Sequence, residues 1–305
     1  MSAERLRAGL DGARRRGDSW LDQAAARTWR RLRGSGDAPA FDGEPRFALL
    51  SVNYSTTRWL KLMLRSLVDL EGLERLVRVV ICDNGSRDGG VDFLRALATA
   101  SARMMLVENC WWTHHARGMR LAIRALQAAE RDQPENSRCN VLLFVDPDVQ
   151  FLRADTLTAL AERFVGGETA FAGELRRHVL PLPEAQASFL AVRRDWAERR
   201  DISPWLHGGS PAWPLQRDIW RAGGRGEDFP VYREGYAMHR GRAGVAAAQA
   251  FYTGSAYASV ANRAPHFMGV PQGQERWQMA EARYTEWLGT EAEPQLLELL
   301  SRRLA

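Results

Sequence analysis

Four times between Phe47 and Phe164 the chain repeats one rhythm: a short apolar run, a polar break, then apolar residues at helical spacing. The runs are Phe47 to Val52, Val77 to Cys82, Met104 to Val107 and Val141 to Val145. The helical stripes are Leu60, Met63, Leu64 and Leu67; Val91, Leu94, Leu97 and Ala98; Met119, Ala122, Ile123 and Leu126; and Leu157, Leu160, Ala161 and Phe164. Strands that are apolar throughout must be covered on both faces. Strict alternation through short connections therefore predicts an α/β fold, a mainly parallel sheet flanked by helices. Beyond residue 166 the rhythm weakens. Ala170 to Ala172, Ser188 to Val192 and Gly235 to His239 read as shorter strands among long loops crowded with Trp205, Trp213, Trp220, Phe229 and Tyr232. Long aromatic loops in a compact domain usually carry function.

A parallel sheet sends its strand ends to one edge, where such sheets bind ligands. Each exit here is polar: Asn53 and Tyr54; Asp83-Asn84-Gly85-Ser86-Arg87-Asp88; Glu108 and Asn109; and Asp146-Pro147-Asp148. The last is the sharpest. Residues two apart in extended chain project the same way, so Asp146 and Asp148 can face one cation. Without a cation the two carboxylates repel and at least one pKa rises. Mg²⁺ or Mn²⁺ relieves this, and both share oxygen ligands with substrate phosphates. The plainer reading is a polar strand end and a helix cap. The alternatives for binding phosphate are missing: Asn53-Tyr54-Ser55-Thr56-Thr57 holds no glycine for a dinucleotide loop, and Lys61, the chain's one lysine, lies within a helical stripe. A metal at Asp146 and Asp148 is the remaining means of neutralising a phosphate.

Composition narrows the partners. Of 305 residues 45% are hydrophobic and 26% charged, ordinary globular values that leave room for a sizeable core. Net charge is +5 and the pI about 9.5, which invites a nucleic-acid reading. Arginine carries nearly all of that surplus, as in a chain rich in Ala and Gly through coding bias, so nucleic acid is not expected as a partner. Cys82, Cys110 and Cys139 are odd in number and lack metal-ligand spacing, which fits a reducing compartment. No apolar run approaches the roughly 18 residues of a membrane span, and no secretory leader is expected.

Residues 1–40 read as a helical, Arg-rich extension and linker. It serves packing or oligomerisation, or rests as an amphipathic segment on the inner face of a membrane. Residues 41–271 read as one domain in two halves (46–165 and 166–271), and 272–305 as closing helices.

The order Ser-Val-Asn-Tyr at 51–54, Val-Val-Ile-Cys-Asp-Asn-Gly-Ser-Arg-Asp at 79–88, an asparagine at 109 followed by Gly118, and Leu-Phe-Val-Asp-Pro-Asp at 143–148 resembles glycosyltransferase family 2. The match is clear over 46–165 and loose to about Gly254. The resemblance implies a GT-A fold, a nucleotide-diphosphate sugar donor, Mn²⁺ or Mg²⁺, inversion at the anomeric carbon, and a hydroxyl acceptor such as a glycan, a lipid-linked sugar or a small molecule. It implies a cytoplasmic hexosyl- or deoxyhexosyltransferase. Carried over by position, Asn53 and Asp83 meet the base and ribose, with Tyr54 and Asn84 beside them. Asp88 supports that loop or the nucleoside. Asp146 faces ribose and metal, and Asp148 is the main metal ligand. A late histidine completes the metal set: His239, with His266 as its rival. The base belongs to Glu227-Asp228, although only ten residues stand between Asp228 and His239 and no helix is expected there; Asp201 and Asp218 stay open. His115 or Arg117 at the start of the third helix, after His114, sits beside the donor phosphates or merely packs there. His207 and Gly208 to Trp213 resemble an acceptor-side loop. The other class of function open to these residues is a sugar-nucleotide-binding scaffold without catalysis.

Overall fold

Strand β1 (Phe47–Asn53) is buried along its whole length. The computed structural model describes residues 40–109, 114–176, 182–206, 210–241, 272–288 and 292–305. The expected extension at 1–40 falls almost wholly outside these ranges, as do Cys110, His207, Gly208, Gly209 and His266.

After β1 come α1 (Thr57–Leu67), β2 (Leu76–Asp83), α2 (Val91–Ala100), β3 (Met104–Glu108), α3 (His115–Glu130) and β4 (Val141–Val145). Then follow β5 (Val149–Phe151), α4 (Thr156–Glu162), β6 (Thr169–Gly173), β7 (Leu175–Arg176), β8 (Glu184–Ala185) and β9 (Phe189–Arg193). The described chain ends with α5 (Arg194–Ala197), α6 (Trp213–Arg221), β10 (Arg225–Asp228), β11 (Ala237–His239), α7 (Gly273–Arg283) and α8 (Glu293–Arg303).

The described residues form a seven-stranded sheet in the order β10-β6-β9-β4-β1-β2-β3. Only β9 runs against its neighbours β4 and β6; the other pairings are parallel. The α/β class and mainly parallel sheet follow the reading of the sequence. Between β1 and β4 the connections change direction, the place where open sheets bind ligands beyond their carboxyl ends. Two apolar layers sandwich the sheet. One joins α1, α2, α4 and the closing helices to Leu49, Ile81 and Leu143. The other joins α3, α5 and α6 to Leu50, Val80 and Phe144.

Close approach fixes the helix that matters most for the site. A Cβ at Gly118 would stand 2.8 Å from Val52 Cγ1, so only glycine lets α3 lie this near β1. The closing helices are tied to the sheet's other face. Gln150 donates to the Ala280 carbonyl (2.9 Å), Tyr284 to Asp69 (2.9 Å), and Lys61, under the surface, pairs with Glu293.

Candidate active site

The site grows from β4. Its five buried residues end at Asp146, and the chain then turns rather than continuing as strand: Val149 N donates to the Asp146 carbonyl (3.1 Å). The extended geometry expected for Asp146-Pro147-Asp148 is thus replaced by a turn, which proline at its centre favours. The two carboxylates converge all the same. The turn delivers β5, which pairs antiparallel with β11 so that Val149 faces His239. Arg240 N extends that ladder to the Asp148 carbonyl (3.0 Å). Strand pairing thereby carries His239 from ninety residues downstream to the side of Asp148.

The result is a compact group. His239 Nε2 lies 3.2 Å from Asp148 Oδ1 and 3.5 Å from Asp146 Oδ2. Donor atoms of the three side chains all fall within 4.8 Å of one another. Ligands at about 2.1 Å from an octahedral ion stand about 3.0 Å apart, so two oxygens and a nitrogen at these separations fit a small divalent cation. Asp148 is buried, while a quarter of the Asp146 side chain stays open to the crevice. Burial raises the Asp146 pKa, as does Asp148, with His115 and His239 opposing. Burial opposes a charge on His239, but Asp148 and Asp146 outweigh it and its pKa is raised. A dication would replace the proton in both roles.

A second histidine approaches from α3. His114 caps that helix, its Nδ1 accepting from Arg117 N (3.2 Å), and His115 in the first turn brings Nε2 to 3.8 Å from Asp146 Oδ1. The amino terminus of α3 therefore points at the acidic group. Arg117, in the same turn, is exposed. The ring of Trp205 lies 5.6 Å from that of His115 and 4.9 Å from Phe144, and buried Arg120 holds the Trp205 carbonyl at 2.6 Å.

The first two strand ends form a polar lattice. Asn53 Nδ2 donates to Asp83 Oδ1 (2.9 Å), to Thr57 Oγ1 (3.1 Å) and to Ser86 Oγ (3.1 Å), while Oδ1 accepts from Thr56 (2.7 Å). Ser86 N donates to Asp83 Oδ2 (3.0 Å). Asp88 accepts from Thr57 N (2.9 Å) and Gly90 N (3.2 Å), bracing the start of α1. A Cβ on Gly90 would collide with Thr57, which keeps these loops in contact. Asn53 and Asp83 are buried, and Asn84 is held by Asn109 (2.7 Å). Their side chains bind the two loops to each other; half-buried Tyr54 and exposed Arg87 form the rim.

Glu227 and Asp228 occupy β10, three strands from β4, or roughly 14 Å at ordinary strand spacing. Alternation sends them to opposite faces. Asp228 accepts from Leu175 N (2.9 Å) and pairs with Arg233 (2.5 Å). Glu227 instead faces Arg225 (3.2 Å) and Arg163 (3.9 Å), in a polar cleft of about 490 Å³ on the α4 side. Glu227 is thus not brought toward the acidic group. Asp201 pairs with Arg199, and Asp218 with Arg217 and Ser203 N.

No family model matches the sequence, and no curated protein matches it. Solved structures do. The mannosyltransferase PcManGT from Pyrobaculum calidifontis, in complex with GDP-Man and Mn²⁺, is 19% identical, with 98% of this chain and 85% of that one covered and a TM-score of 0.46. The 1–349 fragment of S. aureus TarS is 11% identical over 85% of this chain and 71% of its own, with a TM-score of 0.46. The same fragment in complex with UDP-GlcNAc is 12% identical over 57% and 53%, with a TM-score of 0.43. Two of these three structures hold a nucleotide sugar. The likeness is loose, and the residues of the site carry the functional reading.

Two residues of the site escaped the sequence pattern. Tyr232 and Ser188 are buried and share a hydrogen bond of 2.8 Å directly behind the acidic group, and the Ser188 carbonyl accepts Asp146 N (3.0 Å). The crowding of aromatics around Tyr232 was the one available signal. Among the described residues no helix is long and apolar enough to cross a membrane.

Proposed function

We propose that this chain is a metal-dependent, inverting glycosyltransferase of family 2 type, moving a sugar from a nucleotide-diphosphate sugar to a hydroxyl acceptor. The observation that supports it best is the meeting of Asp146, Asp148 and His239 at the carboxyl edge of the sheet, beside the amino terminus of α3. In this reading residues 46–165 receive the donor and 166–271 the acceptor.

Asp146, Asp148 and His239 would hold Mn²⁺ or Mg²⁺, the imidazole favouring Mn²⁺. When bound, the ion supplies Lewis-acid neutralisation of the leaving diphosphate. His115, Arg117 and the amide dipoles of α3 attract the same phosphates, since a helix amino terminus favours anions. The lattice of Asn53, Asp83, Asn84 and Asp88 gives a rigid floor to the nucleoside pocket, with Tyr54 at its rim. Asp228 would take the acceptor hydroxyl's proton on the face opposite the leaving group.

A thermal-shift screen of nucleotide sugars with and without Mn²⁺ tests the core of this reading, because ligands of the folded state stabilise it by mass action. One nucleotide sugar should raise the melting temperature only when Mn²⁺ is present, and Asp148→Ala should abolish that rise. A rise unchanged by Asp148→Ala sinks the metal assignment.

The engagement of Asp228 by Arg233 and Leu175 N favours a second reading, a sugar-nucleotide-binding scaffold without catalysis. Asp228→Asn separates the two. Sugar transfer that falls by about 10²-fold or more while donor affinity holds marks Asp228 as the base. Donor binding without turnover in the unsubstituted chain marks a scaffold.

A further inference from the structure

A histidine that binds a metal through one ring nitrogen usually donates the other to a carbonyl or carboxylate, which fixes the ring. His239 does not follow that pattern. Its Nε2 faces Asp146 and Asp148, yet Nδ1 is buried and has no hydrogen-bond partner among the described residues. Its ring is instead stacked with that of Tyr232, the centroids 6.2 Å apart and the planes at 29°.

Tyr232 is itself held at three points. Its hydroxyl shares the 2.8 Å hydrogen bond with Ser188, and its backbone N donates to Glu174 Oε2 (2.7 Å). Its side chain is buried, with the aromatic pair Phe229 and Tyr236 in the same apolar layer. The phenol is therefore a fixed wall beside the imidazole, in an offset and tilted stack.

Resting on the metal reading above, we propose that Tyr232 is the positioning residue of the metal site. Its ring sets the plane of His239 and so aims Nε2 between the two carboxylates, doing by contact what a hydrogen bond to Nδ1 does elsewhere. The Ser188 contact serves to hold the phenol. The ring of Tyr232, rather than its hydroxyl, is the part that acts on His239.

The test is Mn²⁺ binding by the full chain, without donor, followed by electron paramagnetic resonance of free and bound ion. Tyr232→Leu should weaken binding about tenfold, the scale seen when support behind a metal ligand is lost. Tyr232→Phe keeps the ring and should stay within about twofold of the unsubstituted chain. The deciding readout is a double-mutant cycle. If Tyr232 acts through His239, Tyr232→Leu costs nothing further in a His239→Ala background, and the nitrogen coupling of His239 to bound Mn²⁺ is lost in Tyr232→Leu alone. Equal losses in both backgrounds, or full binding by Tyr232→Leu, overturn the proposal while leaving the metal site standing. No Mn²⁺ binding by the unsubstituted chain overturns the metal reading itself.

Discussion

Two buried clusters show how differently charge is handled within one molecule. Arg194 lies between Glu130 and Glu198, all three buried, with the Glu198 contact at 2.6 Å. Both carboxylates there meet the one guanidinium, and all three groups are closed off from solvent, so the cluster is structural. Asp146, Asp148 and His239 set two carboxylates against one imidazole with a quarter of the Asp146 side chain open, the arrangement that the proposed metal would complete. Glu130→Ala should therefore destabilise the fold by about 3–5 kcal/mol in urea unfolding, since it strips one partner from a buried guanidinium. Asp83→Ala should cost about 1–3 kcal/mol by orphaning the Ser86 amide and taking one acceptor from Asn53. Both effects are read without any substrate, and an Asp83 variant of full stability would contradict the lattice described for the strand ends. Asp146 and Asp148 were legible in the sequence because an apolar run ending in acids is a local signal. His239 needed a resemblance to be singled out. Its place depends on β5 pairing with β11, which no local pattern encodes, and the lone-pair needs of Tyr232 and Ser188 leave no trace in periodicity.

At the scale of elements, the strand–helix units up to α4 follow the apolar spacing closely, because each buries a continuous stripe. Later elements do not. Helix α6 was hidden by Pro214, which reads as a breaker but is tolerated in a first turn, and by a short inner face whose buried members are Leu215, Gln216 and Ile219. Strand β10 was hidden by its composition, Arg-Gly-Glu-Asp, suited to a sheet edge that must resist pairing with other chains. Helix α3 gives the sharpest test at this scale. Gly118→Val would press two methyls into Val52 and should cost about 1–3 kcal/mol. Adding Val52→Ala should return part of it. Strict additivity of the two changes in urea unfolding would show that α3 does not rest on β1 at this point.

For the molecule as a whole, the thiols report on how well the apolar layer under α3, α5 and α6 excludes water. Burial, with a contribution from Asp83, pushes the Cys82 thiol up to about 12 from an ordinary 9.0. Between those values the unfolded chain has released a proton that the folded chain keeps, so the contribution is intact below pH 9.0 and is lost as pH climbs toward about 12. Unfolding free energy should fall with pH over that window, and Cys82→Ala should flatten the slope. Burial likewise raises the Cys139 thiol. Neither cysteine should react with iodoacetamide at pH 8 until denaturant opens the fold; labelling of the native chain at either position would contradict the packing.

The pairing of β5 with β11 also has a consequence in time. It joins Val149 to His239 across ninety residues, a long closure that must overcome chain entropy before it gains contacts. The central strands can assemble first, leaving Asp146 and Asp148 in place with no imidazole between them. An ion that needs all three groups would then find its seat only near the end of refolding. Saturating Mn²⁺ should leave the refolding rate unchanged and slow unfolding in proportion to the stability it adds.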